Sequence, residues 1–370
     1  MSYHRIVVKF GTSLLTSGTD RLNIQIMANL AQQVAQLHYQ GKEIIIVSSG
    51  AIAAGRQKLE GIPERKNTPF KQVLASVGQG HLMHTYEQLF SQHGITIAQA
   101  LLTKGDMSDR SGYLNARNTL LALIELGVIC VVNENDVVAI DEIEEFKFGD
   151  NDKLSAMVAN LVDADLLVLL TDVGGLYTSD PYCNPDAQLI SRVDRIDNRI
   201  ERLAKETTNY QGTGGMATKI EAAKLATSSG TSVIIADGRE PDVLVRISRG
   251  KDIGTFLLTQ VNKMESKKRW MLSGLASKGK IIVDKGAVVA LKEQNKSLLP
   301  AGVVGVDGDF QRGDIVDISD KQGNHIGYGI SNYGSADMLI IKGAHSDKIP
   351  SLLGYEYGDE AIHRNNMVIL

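Results

Sequence analysis

Six continuously apolar segments recur along the first two-thirds of the chain. They are RIVVKF (5–10), EIIIVSS (43–49), ITIAQALL (95–102), GVICVVNEN (127–135), DLLVLLTD (165–172) and SVIIADG (232–238). Their apolar residues do not alternate with polar ones, which is typical of strands buried on both faces. Segments with helical spacing lie between them, at 24–38, 70–92, 113–125 and 152–163. This alternation predicts an α/β fold, with an open, mainly parallel sheet and helices on both of its faces.

The pattern changes after about residue 260. A charged stretch, VNKMESKKRW, is followed from about 277 by short β-branched segments that Gly and Asp separate, such as GKIIVDKGAVVAL and GNHIGYGISNY. Such segments predict a small β-rich, barrel-like domain. The chain is therefore divided into a first domain at 1–260, a linker at 261–276, a second domain at 277–360 and a C-terminal tail at 361–370.

Composition and charge narrow the class of protein. The 370 residues suffice for two domains, since domains average about 150 residues. The net charge of −4 provides no general attraction for nucleic acid or for an anionic membrane. The two cysteines show neither a disulfide framework nor zinc-ligand spacing. The N-terminus has the pattern of a strand, and no apolar run reaches about 18 residues, so we expect a cytoplasmic protein without a membrane span.

Polar motifs follow several predicted strands, at the edge where parallel sheets bind ligands. Lys9 ends the first strand, and the N–H group of Gly11 could join a nest that binds an anion. Ser48 or Ser49 could cap the next helix, whose start suits a carboxylate or a phosphate. Asp136, in NENDVV, could accept hydrogen bonds from a ligand ammonium. A strand-end lysine, a helix cap and a turn are the plain structural alternatives for these motifs.

Three further motifs carry residues suited to phosphate chemistry. FGDND places two aspartates and an asparagine at 150–152, where capping explains one of them and the others could hold lysines or a metal. Thr171 and Asp172 leave the most apolar strand and could line a nucleotide site. GTGGMATK at 212–219 is a glycine-rich turn that leads into a helix carrying Lys219 in its first turns, an arrangement suited to phosphate binding.

These motifs together predict phosphoryl transfer. Two lysines, Lys9 and Lys219, would neutralise the negative charge of the phosphoryl group during its transfer. Positioning and charge neutralisation supply most of the catalysis in phosphoryl transfer. A carboxylate acceptor, with a pKa of about 4.3, is already ionised at pH 7 and needs no general base.

The combined motifs resemble the glutamate 5-kinases, a family of the amino acid kinase superfamily. The resemblance rests on VVKFGTSLL, VSSGAIAAG, LLTKGDMSDRSGYLNARNTL, NENDVV, FGDND, LLTDVGGLYTSDP and GTGGMATK. The segments KSLLPAGVVGV, FQRGDIV and LGYEYG are similar to the PUA domain that many bacterial members append. The resemblance covers essentially the whole chain.

The resemblance implies an activity and its partners. The reaction would be ATP-dependent phosphorylation of the side-chain carboxylate of L-glutamate to glutamyl 5-phosphate, the first step of proline biosynthesis, with inhibition by proline. A homo-oligomer, either dimer or tetramer, and hand-over of the product to glutamyl phosphate reductase are also implied. One departure from the family pattern is the acidic stretch 141–147, in the loop that would cover glutamate, because it is a few residues longer.

The resemblance also implies roles for individual residues. Lys9 and Lys219 would stabilise the transferring phosphoryl group, and Asp152 would organise them. The residues that would bind glutamate are Ser49, Asp136 and Asn151. Mg²⁺ would bridge the ATP phosphates without a direct protein ligand. The residues that would bind ATP are Lys9, Gly11, Thr171, Asp172, Thr213, Gly214, Gly215, Met216, Ala217, Thr218 and Lys219.

Two alternatives remain open. On the same fold, the acceptor could be another amino acid, acetylglutamate, carbamate or a nucleoside monophosphate. In a different class, the PUA-like region suggests a protein that binds RNA. Residues 277–360 contain nine Lys and Arg and twelve Asp and Glu, a net charge of −3. A protein that binds a phosphate backbone is expected to be locally basic, so the charge argues against RNA binding as the main function.

Overall fold

The computed structural model describes residues 3–63, 68–139, 151–206, 215–259, 261 and 277–370. The chain forms two compact units, Met1–Met107 with Ala116–Lys263, and Ser108–Asn115 with Met264–Leu370. Apart from Val261, the predicted linker at 261–276 lies outside the described residues.

The first unit alternates strands with helices. Its strands are β1 (Arg5–Phe10), β2 (Glu43–Ser48), β3 (Ile97–Leu102), β4 (Ile129–Glu134), β5 (Leu166–Thr171), β6 (Arg192–Val193), β7 (Ser232–Asp237) and β8 (Thr255–Leu257). The helices up to residue 259 are α1 (Thr12–Thr16), α2 (Ile24–Tyr39), α3 (Ala51–Lys58), α4 (Thr68–Ser91), α5 (Lys104–Ser108), α6 (Arg110–Glu125), α7 (Asn151–Leu161), α8 (Asn198–Glu206), α9 (Met216–Ser228) and α10 (Val243–Ser248).

The eight strands form one sheet in the order β3-β4-β2-β1-β5-β7-β8-β6. All neighbouring strands are parallel except β7 and β8, which run antiparallel. The six predicted strands are confirmed, each within two residues of its predicted ends, and the four predicted helices are confirmed as α2, α4, α6 and α7. No helix in the described part of the chain is both long and apolar enough to span a bilayer.

Both faces of the sheet are covered, which explains why its strands are continuously apolar. Side chains alternate between the two faces of a strand. In β1, Ile6, Val8 and Phe10 pack in a large apolar cluster with residues of α1, α2 and α4. Val7 and Lys9 therefore point to the opposite face, where α7 contacts β1 and β5, and α9 contacts β7. Lys9 thus shares its side of the sheet with α7 and α9.

The second unit confirms the predicted β-rich domain. Its five strands pair in the order β10-β9-β11-β12-β13. They are β9 (Gly279–Val283), β10 (Val303–Gly308), β11 (Ile315–Asp320), β12 (His325–Ile330) and β13 (Met367–Ile369), accompanied by helices α11 (Lys285–Lys292), α12 (Ser335–Ile341) and α13 (Ile349–Leu353). Strand β13 lies within the segment predicted as a C-terminal tail. It pairs antiparallel with β12, and its Met367 and Val368 are buried.

Asp314 is a buried charged residue within the second unit. Arg110 forms an ion pair with its carboxylate, Lys278 lies 3.4 Å from Oδ2, and the N–H group of Gln311 donates to Oδ2 at 2.9 Å. Desolvation alone would raise the pKa of Asp314. The hydrogen bonds from Gln311 and Arg110, together with the charge of Lys278, outweigh desolvation and hold this pKa below its ordinary value of 3.8.

Candidate active site

Lys9, Asp152 and Lys219 meet at the carboxyl-terminal edge of the sheet. Lys9 is the penultimate residue of β1, Asp152 is in the first turn of α7 and Lys219 is in the first turn of α9. One Asp152 oxygen, Oδ1, lies 2.6 Å from the Lys9 Nζ, and the other, Oδ2, lies 3.2 Å from the Lys219 Nζ. The three residues are 2%, 0% and 4% exposed, respectively. Two helices on one face of the sheet thus bring a carboxylate and a second lysine to Lys9.

Further hydrogen bonds hold both the side chain and the backbone of Asp152. The Thr218 hydroxyl donates to Oδ2 at 3.0 Å, and the Ser155 hydroxyl donates to the Asp152 carbonyl at 2.5 Å. When all three groups are ionised, Lys9, Asp152 and Lys219 carry a net charge of +1. Isolated charge is costly to bury, so this surplus suits a site that receives an anionic group such as a phosphoryl group.

Asn151 joins the ends of three segments beside Asp152. Its Nδ2 donates to the Ser48 carbonyl at 2.6 Å, to the Ser49 Oγ at 3.1 Å and to the Asn133 Oδ1 at 2.8 Å. The loop after β2, the end of β4 and the start of α7 therefore converge on one side chain. The predicted site residues Ser49 and Asn151 are in direct contact.

The expectation that Ser48 or Ser49 caps α3 is wrong. The residue before α3 is Gly50, with a φ of 97° and no side-chain cap hydrogen bond. The Ser48 Oγ instead lies 2.8 Å from the hydroxyl of Tyr86, which α4 buries against the sheet. Burial raises the pKa of Tyr86, and the hydrogen bond with Ser48 opposes this only in part. The neutral Tyr86 hydroxyl is therefore hydrogen-bonded to Ser48, the residue that precedes Ser49.

The N–H group of Gly11 does not take part in the expected anion-binding nest. Its N–H group donates to the Leu170 carbonyl at 3.2 Å and so serves the neighbouring strand β5 rather than an anion. A Cβ atom at this position would lie 3.3 Å from that carbonyl and 3.6 Å from the Lys9 Nζ. Gly11 therefore leaves room around the Lys9 ammonium.

Further polar groups lie along the same carboxyl-terminal edge of the sheet, at the ends of β5 and β7. The Thr171 hydroxyl donates to the Asp172 Oδ1 at 3.1 Å. Arg239 donates to the Asp172 carbonyl at 2.5 Å and pairs with Asp237 at 2.7 Å. The hydrogen bonds that Arg239 donates to the Asp237 carboxylate raise the pKa of Arg239, although desolvation opposes this. Arg239 and Asp237 were not predicted, although Asp237 ends the strand within the segment SVIIADG and Arg239 follows that segment directly.

The remaining predicted residues are only partly described. Gly215 precedes α9 in an extended conformation, and Met216, Ala217 and Thr218 are half-buried in its first turn. Asp136 lies half-buried on the turn after β4. Outside the described residues are Asp150, the acidic stretch 141–147, Thr213 and Gly214.

Sequence reasoning assigned no role to α4. The structure places Gln79 of this helix against Asn133, whose Nδ2 donates to the Gln79 Oε1 at 2.8 Å. Gly55 and Gly78 allow α3 and α4 to touch, because a Cβ atom on either would lie within 2 Å of a backbone oxygen of the other helix. Glycine inside two consecutive helices was the available signal, since it commonly marks close backbone approach.

Among the described residues, no group of three or more His, Cys, Asp or Glu side chains is arranged to hold a metal ion.

Comparisons with known proteins identify the family of the chain. The amino acid kinase family matches residues 4–237, and the PUA domain matches residues 279–353. The chain is 59% identical to a glutamate 5-kinase from Dehalococcoides mccartyi, covering 100% of this chain and 99% of that protein. It is 50% identical to a glutamate 5-kinase from Herpetosiphon aurantiacus, covering 98% of both. A solved UMP kinase from Bacillus anthracis covers 70% of this chain and is itself covered to 98%, at 15% identity and a TM-score of 0.48. The chain belongs to the amino acid kinase family and, within it, to the glutamate 5-kinases.

Proposed function

We propose that this chain transfers the γ-phosphoryl group of ATP to the side-chain carboxylate of L-glutamate and so forms glutamyl 5-phosphate. The observation that carries the proposal is the buried group of Lys9, Asp152 and Lys219. Two ammonium groups that share one carboxylate, at the edge where parallel sheets bind ligands, suit a phosphoryl group that passes between two anions.

The phosphoryl transfer requires little from the protein beyond the positive charge of Lys9 and Lys219. A glutamate side-chain oxygen attacks the γ-phosphorus, a new P–O bond forms, and the bond from this phosphorus to the β–γ bridging oxygen breaks to release ADP. The attacking carboxylate is ionised at neutral pH, so no proton has to be removed. Lys9 and Lys219 neutralise charge on the phosphoryl oxygens, and Asp152 holds the two ammonium groups in place.

The two substrates approach from opposite sides of the lysines. Ser49 and Asn151 lie beside Asp152 and bind glutamate, and Asp136 accepts hydrogen bonds from its α-ammonium. The residues that face ATP are Lys9, Gly11, Thr171, Asp172 and 213–219. Mg²⁺, held mainly by the ATP phosphates, supplies additional charge neutralisation when bound.

Regulation and context are part of the same proposal. Proline carries an amine and a carboxylate like the α-carbon end of glutamate, so we expect it to inhibit by competing at Asp136. The product would enter proline biosynthesis through glutamyl phosphate reductase. We expect a cytoplasmic homo-oligomer, either dimer or tetramer.

The test is an assay with ATP, Mg²⁺ and hydroxylamine, which traps an acyl phosphate as a hydroxamate. L-glutamate should give a hydroxamate in amounts equal to the ADP released. Acetylglutamate, aspartate and carbamate, tested in parallel, should give much lower rates. A reaction with one of these and none with glutamate would show that the substrate assignment is wrong.

A further inference from the structure

Hydrogen bonds fix the orientation of the Gln79 side-chain amide. The backbone N–H group of Glu134 donates to the Asn133 Oδ1 at 2.9 Å, and a backbone N–H group can only donate. The Asn133 Nδ2 is therefore the donor toward Gln79, and the Gln79 Oε1 is the acceptor, at 2.8 Å. It follows that the amide nitrogen of Gln79, Nε2, presents its hydrogens away from Asn133.

This nitrogen is buried and has no hydrogen-bond partner within the part of the chain that the structure describes. Buried polar groups in native proteins are nearly always paired, and an unpaired donor destabilises the folded state. A donor with fixed orientation beside a ligand site therefore points to an acceptor on the ligand.

Close helix packing places Gln79 beside the substrate loop. A Cβ atom on the preceding residue, Gly78, would lie 1.8 Å from the Ala51 carbonyl oxygen, so α4 touches the first turn of α3 at this point. Ala51 follows the Ser49–Gly50 turn directly. Gln79, the next residue of α4, is therefore near that turn in the fold, and its side chain is hydrogen-bonded to Asn133.

We infer that the Gln79 Nε2 donates a hydrogen bond to the α-carboxylate of the bound glutamate, an inference that rests on the proposed function. The side-chain carboxylate has to lie at Lys9 and Lys219, where the phosphoryl group is transferred. Two amides, Asn151 and Asn133, separate Asp152 from Gln79. Gln79 therefore belongs to the end of the pocket that is remote from the reaction, where glutamate presents its α-carbon.

The experiment replaces the donor and keeps the acceptor. Gln79→Glu can still accept from the Asn133 Nδ2, but it turns a carboxylate oxygen toward the substrate carboxylate. Gln79→Leu removes the donor without adding charge. The matched control is Gln88→Glu, because Gln88 is an exposed residue of the same helix and its substitution makes the same change in charge. Hydroxamate formation gives KM for glutamate and for ATP in each variant.

We expect the glutamate KM to rise about 10- to 100-fold in Gln79→Leu, as for a lost hydrogen bond to a charged group, and further in Gln79→Glu. The ATP KM should stay within about twofold of the wild-type value, because Gln79 lies on the glutamate side. Lowering the pH should reduce the defect of Gln79→Glu, because a protonated carboxyl group can donate again, whereas Gln79→Leu should show no such recovery.

The inference fails if both Gln79 variants keep a glutamate KM within about twofold of the Gln88→Glu control. It also fails if kcat falls while the glutamate KM does not change, since that result indicates support of the fold rather than binding. Failure of the proposed function looks different, because the wild-type chain itself would then form no hydroxamate from glutamate.

Discussion

Lys219→Met and Asp152→Asn should both abolish most of the activity, but for opposite electrostatic reasons. Lys219→Met lowers the net charge of Lys9, Asp152 and Lys219 from +1 to zero and keeps most of the side-chain volume. Asp152→Asn raises that charge to +2 and leaves two buried ammonium groups without the carboxylate that they share. The two variants therefore separate catalytic charge from charge that supports the fold.

The structure sets the expected magnitudes. In Lys219→Met, the Asp152 carboxylate keeps Lys9 at 2.6 Å and the Thr218 hydroxyl at 3.0 Å. The free energy of unfolding should therefore fall by only about 1–2 kcal/mol. In Asp152→Asn, two lysines that are 2% and 4% exposed lose their shared counterion. Breaking a buried ion pair in this way costs about 3–5 kcal/mol. Loss of one preorganised charge in the transition state lowers kcat by about 10²–10³-fold, so both variants should be nearly inactive.

Two measurements test this reasoning. One is kcat at saturating ATP and glutamate in the hydroxamate assay, and the other is urea unfolding followed by circular dichroism. Lys219→Met should unfold close to the wild-type midpoint, and Asp152→Asn should unfold well below it. If folded Lys219→Met keeps a kcat within about threefold of wild type, Lys219 does not stabilise the transferring group. If Asp152→Asn is no less stable than Lys219→Met, Asp152 is not the shared counterion.

Three further substitutions test other parts of the structure. Gly78→Ala should destabilise by about 3 kcal/mol in urea unfolding, because its Cβ atom would meet the Ala51 carbonyl. Gly80→Ala, on the same helix and with nothing within 4 Å, should stabilise by about 0.5–1 kcal/mol; equal effects of the two substitutions would contradict the close packing. Asp136→Asn should raise the glutamate KM and weaken proline inhibition without changing the ATP KM, and a change in ATP KM alone would move Asp136 to the nucleotide side. Asp314→Asn should cost about 1–2 kcal/mol at pH 7. This difference should decline only below pH 3.8 and disappear as the pH falls through the lowered pKa of Asp314 in the folded protein, because the carboxyl group stabilises only when ionised; an unchanged difference in acid well below that pKa would refute the charge argument.

The parallel sheet could be predicted because its strands are buried on both faces. A short, almost continuously apolar run such as Leu166–Thr171, in which every residue is buried, is typical of a parallel strand covered on both faces. The position of Lys9 at the end of such a strand could also be predicted, and with it the edge of the sheet where the site lies. The pairing of Lys9 and Lys219 through Asp152 required knowledge of the family, because the residues are far apart in sequence and only the helices α7 and α9 bring them together.

The contribution of α4 could not be predicted, and the reason is physical. Sequence patterns report which side of a helix is apolar, and the side of α4 that faces the sheet carries both buried apolar residues, such as Leu82, and the polar groups of Gln79 and Tyr86. A mixed face of this kind has no distinctive periodicity. The Gln79 Oε1 and the Tyr86 hydroxyl are hydrogen-bonded to the ends of β4 and β2, and Gly78 of the same helix lies against the backbone of α3. Gly78 can be read from the sequence. The group that requires a glycine there is the backbone oxygen of Ala51, and its position cannot be predicted from a pattern of side chains. Among the described residues, the buried amide donor without a hydrogen-bond partner is the Gln79 Nε2, and this unused donor, rather than a sequence pattern, is the observation from which a substrate-side role on a covering helix is inferred.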